Sequence, residues 1–215
     1  PSLSNGLQSY PYSTSRSTFF GNASQSPNEA IVKNGYAIID HTFDNGVSIK
    51  NHTRFSDYDK YYQNVYANSQ VSNGLVTIDG YYDNTQRQNF FNQTDLTYNF
   101  KTGSVSHKLL TGLEIGLQEN ENYRILATPI SGVAASNPFA SLTFNSSKSR
   151  NTSTDISNQA IYIQDQIYLN EQFQIIAGLR YDKFKTKFND SVAPVNSATI
   201  NDQFISPRVG LVYKP

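Results

Sequence analysis

The chain has 215 residues, with 17 basic side chains balanced by 17 acidic ones and therefore no formal net charge. This balance argues against the basic surface with which proteins displace counterions from nucleic acid, so no nucleic-acid partner is expected. The absence of cysteine excludes a disulfide framework, and a hydrophobic content of only 37% would give an ordinary globular domain of this length a thin core.

The first third of the chain predicts two strands and a tight turn. Residues 31–43 form the first strand. Asp44-Asn45-Gly46 forms the turn, because Asn-Gly accepts positive φ and is a strong hairpin signal. The second strand begins at Val47 and alternates between apolar and polar residues. A long loop rich in Tyr and Asn is predicted after it, over about 59–88.

The middle third predicts two more strands. The third strand runs from Asn89 to Phe100, and a short turn follows over residues 101–106. The fourth strand, over residues 108–118, has the clearest alternation of apolar and polar positions. Residues 120–155 are rich in Asn, Ser and Thr and contain two prolines, so they are predicted to form a second long loop. Loops of this length are usually functional.

The last third predicts three strands. The fifth strand covers about Ser157–Leu169 and turns at Asn170-Glu171-Gln172 into a sixth, which begins at Phe173. A polar loop then reaches about Asp202, and a seventh strand follows over Phe204–Tyr213. Asp165 disturbs this pattern because it falls on the apolar side of the fifth strand. We expect either a bulge that re-aims it or a partner on a neighbouring strand.

The period-two pattern separates an apolar side from a charged side. Such strands lie between an apolar and an aqueous medium. The residues predicted to face lipid are Leu109, Leu113, Ile115, Ile175, Leu179, Val209 and Leu211. The charged side chains predicted to face the barrel lumen or a plug domain are Lys50, Arg54, Glu114, Arg180, Asp182 and Arg208.

Short turns after strands one, three and five alternate with long loops after strands two, four and six. This asymmetry is typical of outer-membrane barrels, whose short turns are periplasmic and whose long loops are extracellular. No apolar run of about 18 residues exists that could form a membrane-spanning helix. The fold class is therefore predicted as all-β, a partial transmembrane antiparallel β-barrel of about seven strands that occupies residues 1–215.

Motifs for covalent chemistry are absent from the sequence. There is no G-x-S-x-G, no P-loop and no G-x-G-x-x-G, so the chain is not expected to be an enzyme. The three histidines, His41, His52 and His107, have no partner at metal-ligand spacing, so no metal site and no cofactor are expected.

Aromatic residues in the predicted loops are the best functional signal. Several tyrosines occur together with cations, an arrangement that suits an aromatic or anionic ligand such as a ferric catecholate, through stacking and cation-π contact. The alternative is that these rings only belong to the aromatic belt of a barrel. The predicted ligand-binding residues are Tyr61, Tyr62, Tyr81, Tyr82, Arg87, Tyr123 and Arg124.

Three segments of the last third resemble TonB-dependent siderophore receptors of the Gram-negative outer membrane. They are residues 162–166, 177–182 and 206–213, and the similarity extends to Phe19-Phe20-Gly21 and to 107–114. The resemblance implies a monomeric barrel of 22 strands, of which this chain supplies about a third. The plug domain and the TonB box of such receptors are not found in it, so the chain is expected to be an internal barrel fragment.

The resemblance also implies partners. They are a ferric siderophore, which would carry the iron in already chelated form, the TonB–ExbB–ExbD complex through the missing N-terminal region, and outer-membrane lipid. Two alternatives remain open from the sequence pattern. A passive porin would have the same wall, and a secreted β-sandwich that binds glycans would also show short alternating strands but would bury its apolar side.

Overall fold

The computed structural model describes residues 12–215, and residues 1–11 of the predicted barrel segment lie outside the described part. Eight strands form one antiparallel sheet in the order β1-β2-β3-β4-β6-β7-β8, with β5 paired to β3. The strands are β1 (Asn28–Thr42), β2 (Val47–Ala67), β3 (Leu75–Thr102), β4 (Val105–Ala127), β5 (Ile130–Ala134), β6 (Phe144–Tyr168), β7 (Phe173–Asp190) and β8 (Ala198–Tyr213). Two single-turn 3₁₀ helices cover Ala23–Gln25 and Pro194–Asn196. The all-β class is confirmed.

Short turns join three pairs of strands where the sequence predicts them. Between β1 and β2, Gly46 has φ +83°, and the Phe43 amide donates to the Val47 carbonyl at 2.8 Å. The turn before β4 is shorter than predicted, because only residues 103–104 lie outside strands. Between β6 and β7, the Asn170 side chain accepts from the amides of Gln172 and Phe173, both at 2.9 Å.

The long loops predicted over 59–88, over 120–155 and before Asp202 are wrong for most of their length. β2 continues to Ala67 and β3 begins at Leu75, so only residues 68–74 separate them. β4 continues to Ala127, and residues 130–134 add a strand that the sequence pattern did not predict. These polar segments stay extended because each pairs its backbone with neighbouring strands, which needs no apolar alternation.

The structure divides into two compact units. Within the described residues, the first comprises 12–29, Lys60–Asn84 and Tyr123–Ser149, and the second comprises Ala30–Asp59, Thr85–Asn122 and Arg150–Pro215. The second unit contains the strands with strong period-two alternation. The first unit contains the predicted tyrosine-rich segments.

In the second unit the polar side of the sheet is the buried one. Asp182 and Gln174 on β7 are each 3% exposed, whereas Leu179 on β7 is 48% exposed and Ile161 on β6 is 54% exposed. A soluble β-sandwich has the opposite distribution, because it buries its apolar side in a core. We call these two sides of the second unit the polar side and the apolar side.

The register of β6, β7 and β8 defines a band on the apolar side. At one limit of the band, Phe173 on β7 is paired with Tyr213 on β8, and their rings lie 5.0 Å apart. At the other limit, Tyr181 on β7 is paired with Ile161 on β6 and with Ile205 on β8. The band therefore spans about nine residues along β7, the length that a tilted strand needs to cross a bilayer. Aromatic rings at its two limits match the girdles of membrane barrels.

On the polar side, charged residues from different strands form ion pairs. Arg180 on β7 lies 3.1 Å from the Glu114 carboxylate on β4 and 2.9 Å from Asp182. The other predicted charged residues do not join this group. Lys50 pairs with Asp40 at 3.8 Å, and Arg208 donates to Gln164 at 3.4 Å. Arg54 is exposed on β2.

Asp165 has a partner on a neighbouring strand, which is one of the two arrangements predicted from the sequence. Its Oδ2 lies 2.7 Å from Nδ1 of His107 on β4, and the two side chains are 24% and 15% exposed. The Phe100 ring stacks on the imidazole at 4.7 Å. The pair lies on the apolar side, at the end of the sheet that carries the short turns.

An arginine introduced on the apolar side should destabilise the folded barrel in lipid. We expect Leu179→Arg to lower the free energy of unfolding by about 2–4 kcal/mol, because a charge then faces hydrocarbon. Gly210→Arg on the polar side is the matched control, since the nearest atom to a new Cβ there is 3.9 Å away. Urea titration of the folded protein in lipid vesicles measures both. Equal losses would contradict the assignment of the two sides.

Removing one member of the His107–Asp165 pair should cost more than removing both. His107→Leu leaves an unpaired carboxylate on the apolar side and should lower the free energy of unfolding by about 3 kcal/mol. The double variant His107→Leu/Asp165→Leu should recover most of this loss, because no buried charge remains. A double-mutant cycle from urea midpoints tests the coupling, and purely additive effects would contradict it.

Candidate ligand-binding site

The first unit has a hydrophobic core of its own. Side chains from β2, β3 and β4 meet residues 140–142 in a cluster that is almost inaccessible to water. The buried members are Val65, Val76, Ile78, Ala127, Ala140 and Leu142. Burial of aliphatic side chains holds these strand ends together, so the predicted loops form a packed scaffold.

The segment before β1 is fastened to this core at Gly21 and Asn22. Gly21 has φ +144° and lies against the Val65 carbonyl, so a Cβ at this position would overlap the backbone of β2. Its amide donates to the Pro138 carbonyl at 2.9 Å. The Asn22 side chain is buried, accepts from the Gln25 amide at 3.2 Å and donates to Ser141 at 3.2 Å.

Three tyrosines and an arginine form a group on one side of the sheet. The Tyr81 ring on β3 lies 5.8 Å from that of Tyr62 and 5.9 Å from that of Tyr66, both on β2. The Arg124 guanidinium on β4 lies over the Tyr81 ring at 4.3 Å. Asp83 orients this guanidinium, since Nε and Nη2 each approach its Oδ2 at 2.7 Å. We call these residues the Arg124 group.

The remaining tyrosines form a second group on the other side of the sheet. The Tyr82 ring lies 5.2 Å from Tyr61 and 5.4 Å from Tyr123. The Tyr82 hydroxyl donates to Tyr123, and the Tyr61 hydroxyl donates to Gln63 at 2.6 Å. Lys148 lies over the Tyr123 ring at 4.3 Å. We call these residues the Tyr82 group.

The two groups are separated because adjacent residues of a strand point to opposite sides. Each strand contributes consecutive residues, such as Tyr81 and Tyr82, one to each group. The sequence pattern predicts that these tyrosines lie in two long loops; they lie on strands instead, and the strand geometry divides them between the two sides of the sheet. A ligand held against one side of the sheet can contact only one group.

Burial disfavours ionisation of four phenols in these groups. It raises the pKa of Tyr61, Tyr66, Tyr81 and Tyr82 above the ordinary value of 10.0. In Tyr81 a hydrogen bond with Tyr62 adds to the burial effect, and in Tyr82 the bond to Tyr123 does so. These rings therefore carry O–H donors and no negative charge at neutral pH.

Six of the seven predicted ligand-binding residues belong to these groups. Arg87 does not, since it belongs to the second unit, where its Nε donates to Asn120 at 3.1 Å. Two contacts were not predicted from the sequence: Asp83 is the partner of Arg124, and Lys148 is the cation over the Tyr123 ring. Extending the strand alternation beyond residue 58 would have placed Asp83 two residues from Tyr81, on the same side.

Within residues 12–215, no three His, Cys, Asp or Glu side chains are arranged to hold a metal ion. The same part of the chain contains no helix long and apolar enough to cross a membrane.

A family model described as "TonB dependent receptor-like, beta-barrel" matches residues 1–215. The chain belongs to the TonB-dependent receptor family. Membership agrees with the strand alternation and the exposed apolar side described above, and it confirms the resemblance seen in the sequence. It also favours the receptor fold over the porin and the β-sandwich.

Two receptors of this family are related in sequence. The catecholate siderophore receptor Fiu of Escherichia coli K12 is 32% identical over 107 residues, which cover 47% of this chain and 14% of Fiu. The metal-pseudopaline receptor CntO of Pseudomonas aeruginosa PAO1 is 25% identical over an alignment of length 227 that covers 93% of this chain and 30% of CntO. The chain thus spans less than a third of the length of these relatives.

A solved member of the family has the same fold. FpvA of P. aeruginosa, in a structure with bound heterologous pyoverdines, superposes with a TM-score of 0.76 at 15% identity. The match covers 94% of this chain and 27% of FpvA. The fold of the chain is therefore that of a segment of a TonB-dependent receptor barrel.

Proposed function

We propose that this chain forms part of the barrel wall of an outer-membrane receptor that takes up ferric siderophores with energy supplied through TonB. The observation that carries the proposal is the Arg124 group, where a cation and three neutral aromatic rings meet on a rigid scaffold. Membership of the receptor family supports it, and so does the similarity to the catecholate siderophore receptor Fiu and the metal-pseudopaline receptor CntO.

The chemistry of the Arg124 group suits a ferric catecholate. Such a ligand is anionic and presents planar aromatic rings. Tyr62 and Tyr81 offer ring faces for stacking, while the Arg124 guanidinium offers charge and a planar surface with several N–H donors. The phenols of Tyr66 and Tyr81 add no negative charge at neutral pH, since their pKa lies above the ordinary value of 10.0. The receptor acts by capture and release, so no covalent chemistry is required of this chain.

The Arg124 group is a better candidate than the Tyr82 group because it presents an exposed ring, that of Tyr62, whereas the rings of Tyr61, Tyr82 and Tyr123 are half-buried. Tyr62 is 38% exposed, and the Arg124 side chain is 34% exposed despite its ion pair with Asp83. In the Tyr82 group, the hydroxyls of Tyr61 and Tyr82 are already engaged with Gln63 and Tyr123.

The exposed apolar band supports a location in the Gram-negative outer membrane. In this arrangement the short turns at Asp44–Gly46 and Asn170–Gln172 lie in the periplasm, and the strand extensions over 59–88 and 120–155 lie outside the cell. The ion pairs of Glu114, Arg180 and Asp182 on the polar side then face the lumen, where a plug domain would meet them. The iron arrives chelated by the siderophore, so this chain needs no metal ligands of its own.

Removing the rings of the Arg124 group should weaken siderophore binding. Each stacked ring contributes on the order of 1 kcal/mol, so we expect Tyr62→Ala/Tyr66→Ala/Tyr81→Ala to lower the affinity for a ferric catecholate at least tenfold. Fluorescence quenching of the complete receptor in detergent measures this affinity.

The Tyr82 group provides the matched control for this experiment. The variant Tyr61→Ala/Tyr82→Ala/Tyr123→Ala removes three rings from the other side of the same sheet. We expect it to bind within about threefold of the parent, since lost packing alone costs little affinity when the scaffold persists. If both triple variants bind like the parent, the proposed site is wrong. If only the control loses affinity, the ligand binds the Tyr82 group instead.

Cysteine labelling tests the proposed sidedness. The chain has no cysteine, so single cysteines at Ser147 and Asn45, both exposed, report without background from this segment. On intact cells, a membrane-impermeant maleimide should modify Ser147→Cys and leave Asn45→Cys unmodified, because the latter lies in the periplasm. Modification of Asn45→Cys alone would show that the barrel has the opposite orientation.

A further inference from the structure

Beyond the apolar band, β7 reverses its alternation. From Phe173 to Tyr181 its residues on the apolar side are hydrophobic or aromatic, but the next three positions on that side are Lys183, Lys185 and Lys187. Phe184 and Phe188 now lie on the opposite side, where the Phe184 ring stacks on Phe204 at 5.7 Å. The three lysines are exposed and form a row that we call the lysine ladder.

The lysine ladder is flanked mostly by neutral residues. Lys183 is paired in register with Gln159 on β6 and with Gln203 on β8, and Lys185 is paired with Ser157 and Asn201. Lys187 lies between Asp155 and Thr199. None of the ion pairs of residues 12–215 involves these lysines, so the ladder keeps a net positive charge.

An apolar groove of about 300 Å³ adjoins the ladder. Its apolar walls are formed by Leu113 and Ile115 on β4, Ile161 on β6 and Tyr181 on β7, while Lys183 lies at its edge. The groove belongs to the exposed apolar side, so it continues the band that faces lipid in the proposed membrane location. A hydrocarbon surface and a cationic row thus meet at one level of the sheet.

We propose that the lysine ladder and this groove bind an anionic membrane lipid that carries phosphate on its headgroup. An acyl chain fits the groove, and the phosphates approach the ammonium groups, which reach the interface on long apolar stems. Alternate residues of a strand lie about 6.5–7 Å apart, so neighbouring lysines can engage separate phosphates of one glycolipid headgroup. The inference rests on the proposed membrane location.

Two other kinds of partner fit these features less well. A free phosphate ion would satisfy the lysines but would leave the adjoining groove unused. An acidic soluble protein would have to cover hydrocarbon that already faces the bilayer. Basic residues are attracted to an anionic leaflet, so three adjacent lysines should retain such a lipid more strongly than isolated ones.

Lipid retention by the complete receptor tests the proposal. The receptor is reconstituted in phosphatidylcholine nanodiscs with and without bis-phosphorylated lipid A and is then isolated. Native mass spectrometry counts the lipid A molecules that remain bound. We expect Lys183→Gln/Lys185→Gln/Lys187→Gln to retain lipid A at least tenfold more weakly than the parent. Lys101→Gln/Lys108→Gln/Lys214→Gln removes the same charge elsewhere and should bind like the parent. Lys183→Arg/Lys185→Arg/Lys187→Arg keeps the three positive charges and should also bind like the parent.

Several results would overturn the proposal. Equal lipid A retention by the ladder variant and the parent would do so, as would equal retention of dephosphorylated lipid A by the parent. If inorganic phosphate at millimolar concentration displaces lipid A, the lysine ladder binds a free anion and not a lipid.

Ferric-catecholate affinity, measured on the same samples, should be unchanged in the ladder variant. If the parent does not bind the ferric catecholate, the proposed function is wrong. The lipid proposal is unaffected by that result, because lipid retention is measured separately.

Discussion

The burial of charge on one side of the sheet is the constraint on which the rest of this structure depends. Arg180 is held between Glu114 and Asp182, and the last of these is almost inaccessible to solvent. Buried ionised groups are tolerated only when they are paired, which requires the strands that carry them to keep one register. β4 and β7 contribute to one ion-pair group across β6, so a slip of one residue would turn these charges to the apolar side.

The same register decides what the apolar side can be. With polar residues buried, hydrophobic residues such as Leu179 and Ile161 are left exposed, which is stable only against a hydrocarbon medium. The carboxylate of Asp165, which lies within the apolar band, is tolerated because His107 pairs with it beneath the Phe100 ring. The upper limit of the band is equally sharp, since Tyr181 is followed by Lys183 on the same side.

The first unit uses a different solution. Its strands are largely polar on their surfaces and are held by a small aliphatic core around Val65 and Ile78, with the preceding segment clamped at Gly21. A packed scaffold of this kind presents aromatic rings at fixed separations, which lowers the entropy lost when a rigid aromatic ligand binds. This preorganisation is what a loop of the same composition could not provide.

The sequence by itself determined the second unit well. Alternation along residues 173–182 and 204–213, together with Asn45-Gly46 and Asn170, was enough to predict the strands, the tight turns and the side that carries Leu179. These features are local, because the side-chain period of a strand and the φ of a turn depend on a few adjacent residues.

Only the tertiary structure decided the rest. The segments over 59–88 and 120–155 are strands for most of their length because their backbones pair with distant neighbours. Polar residues leave no periodic signal of such pairing. The division of Tyr61 from Tyr62 and of Tyr81 from Tyr82 follows from that pairing, as do the ion pair of Arg124 with Asp83 and the partner of Asp165. Each of these contacts joins residues far apart in the chain, so the register between strands, and not the residue types alone, brings them together.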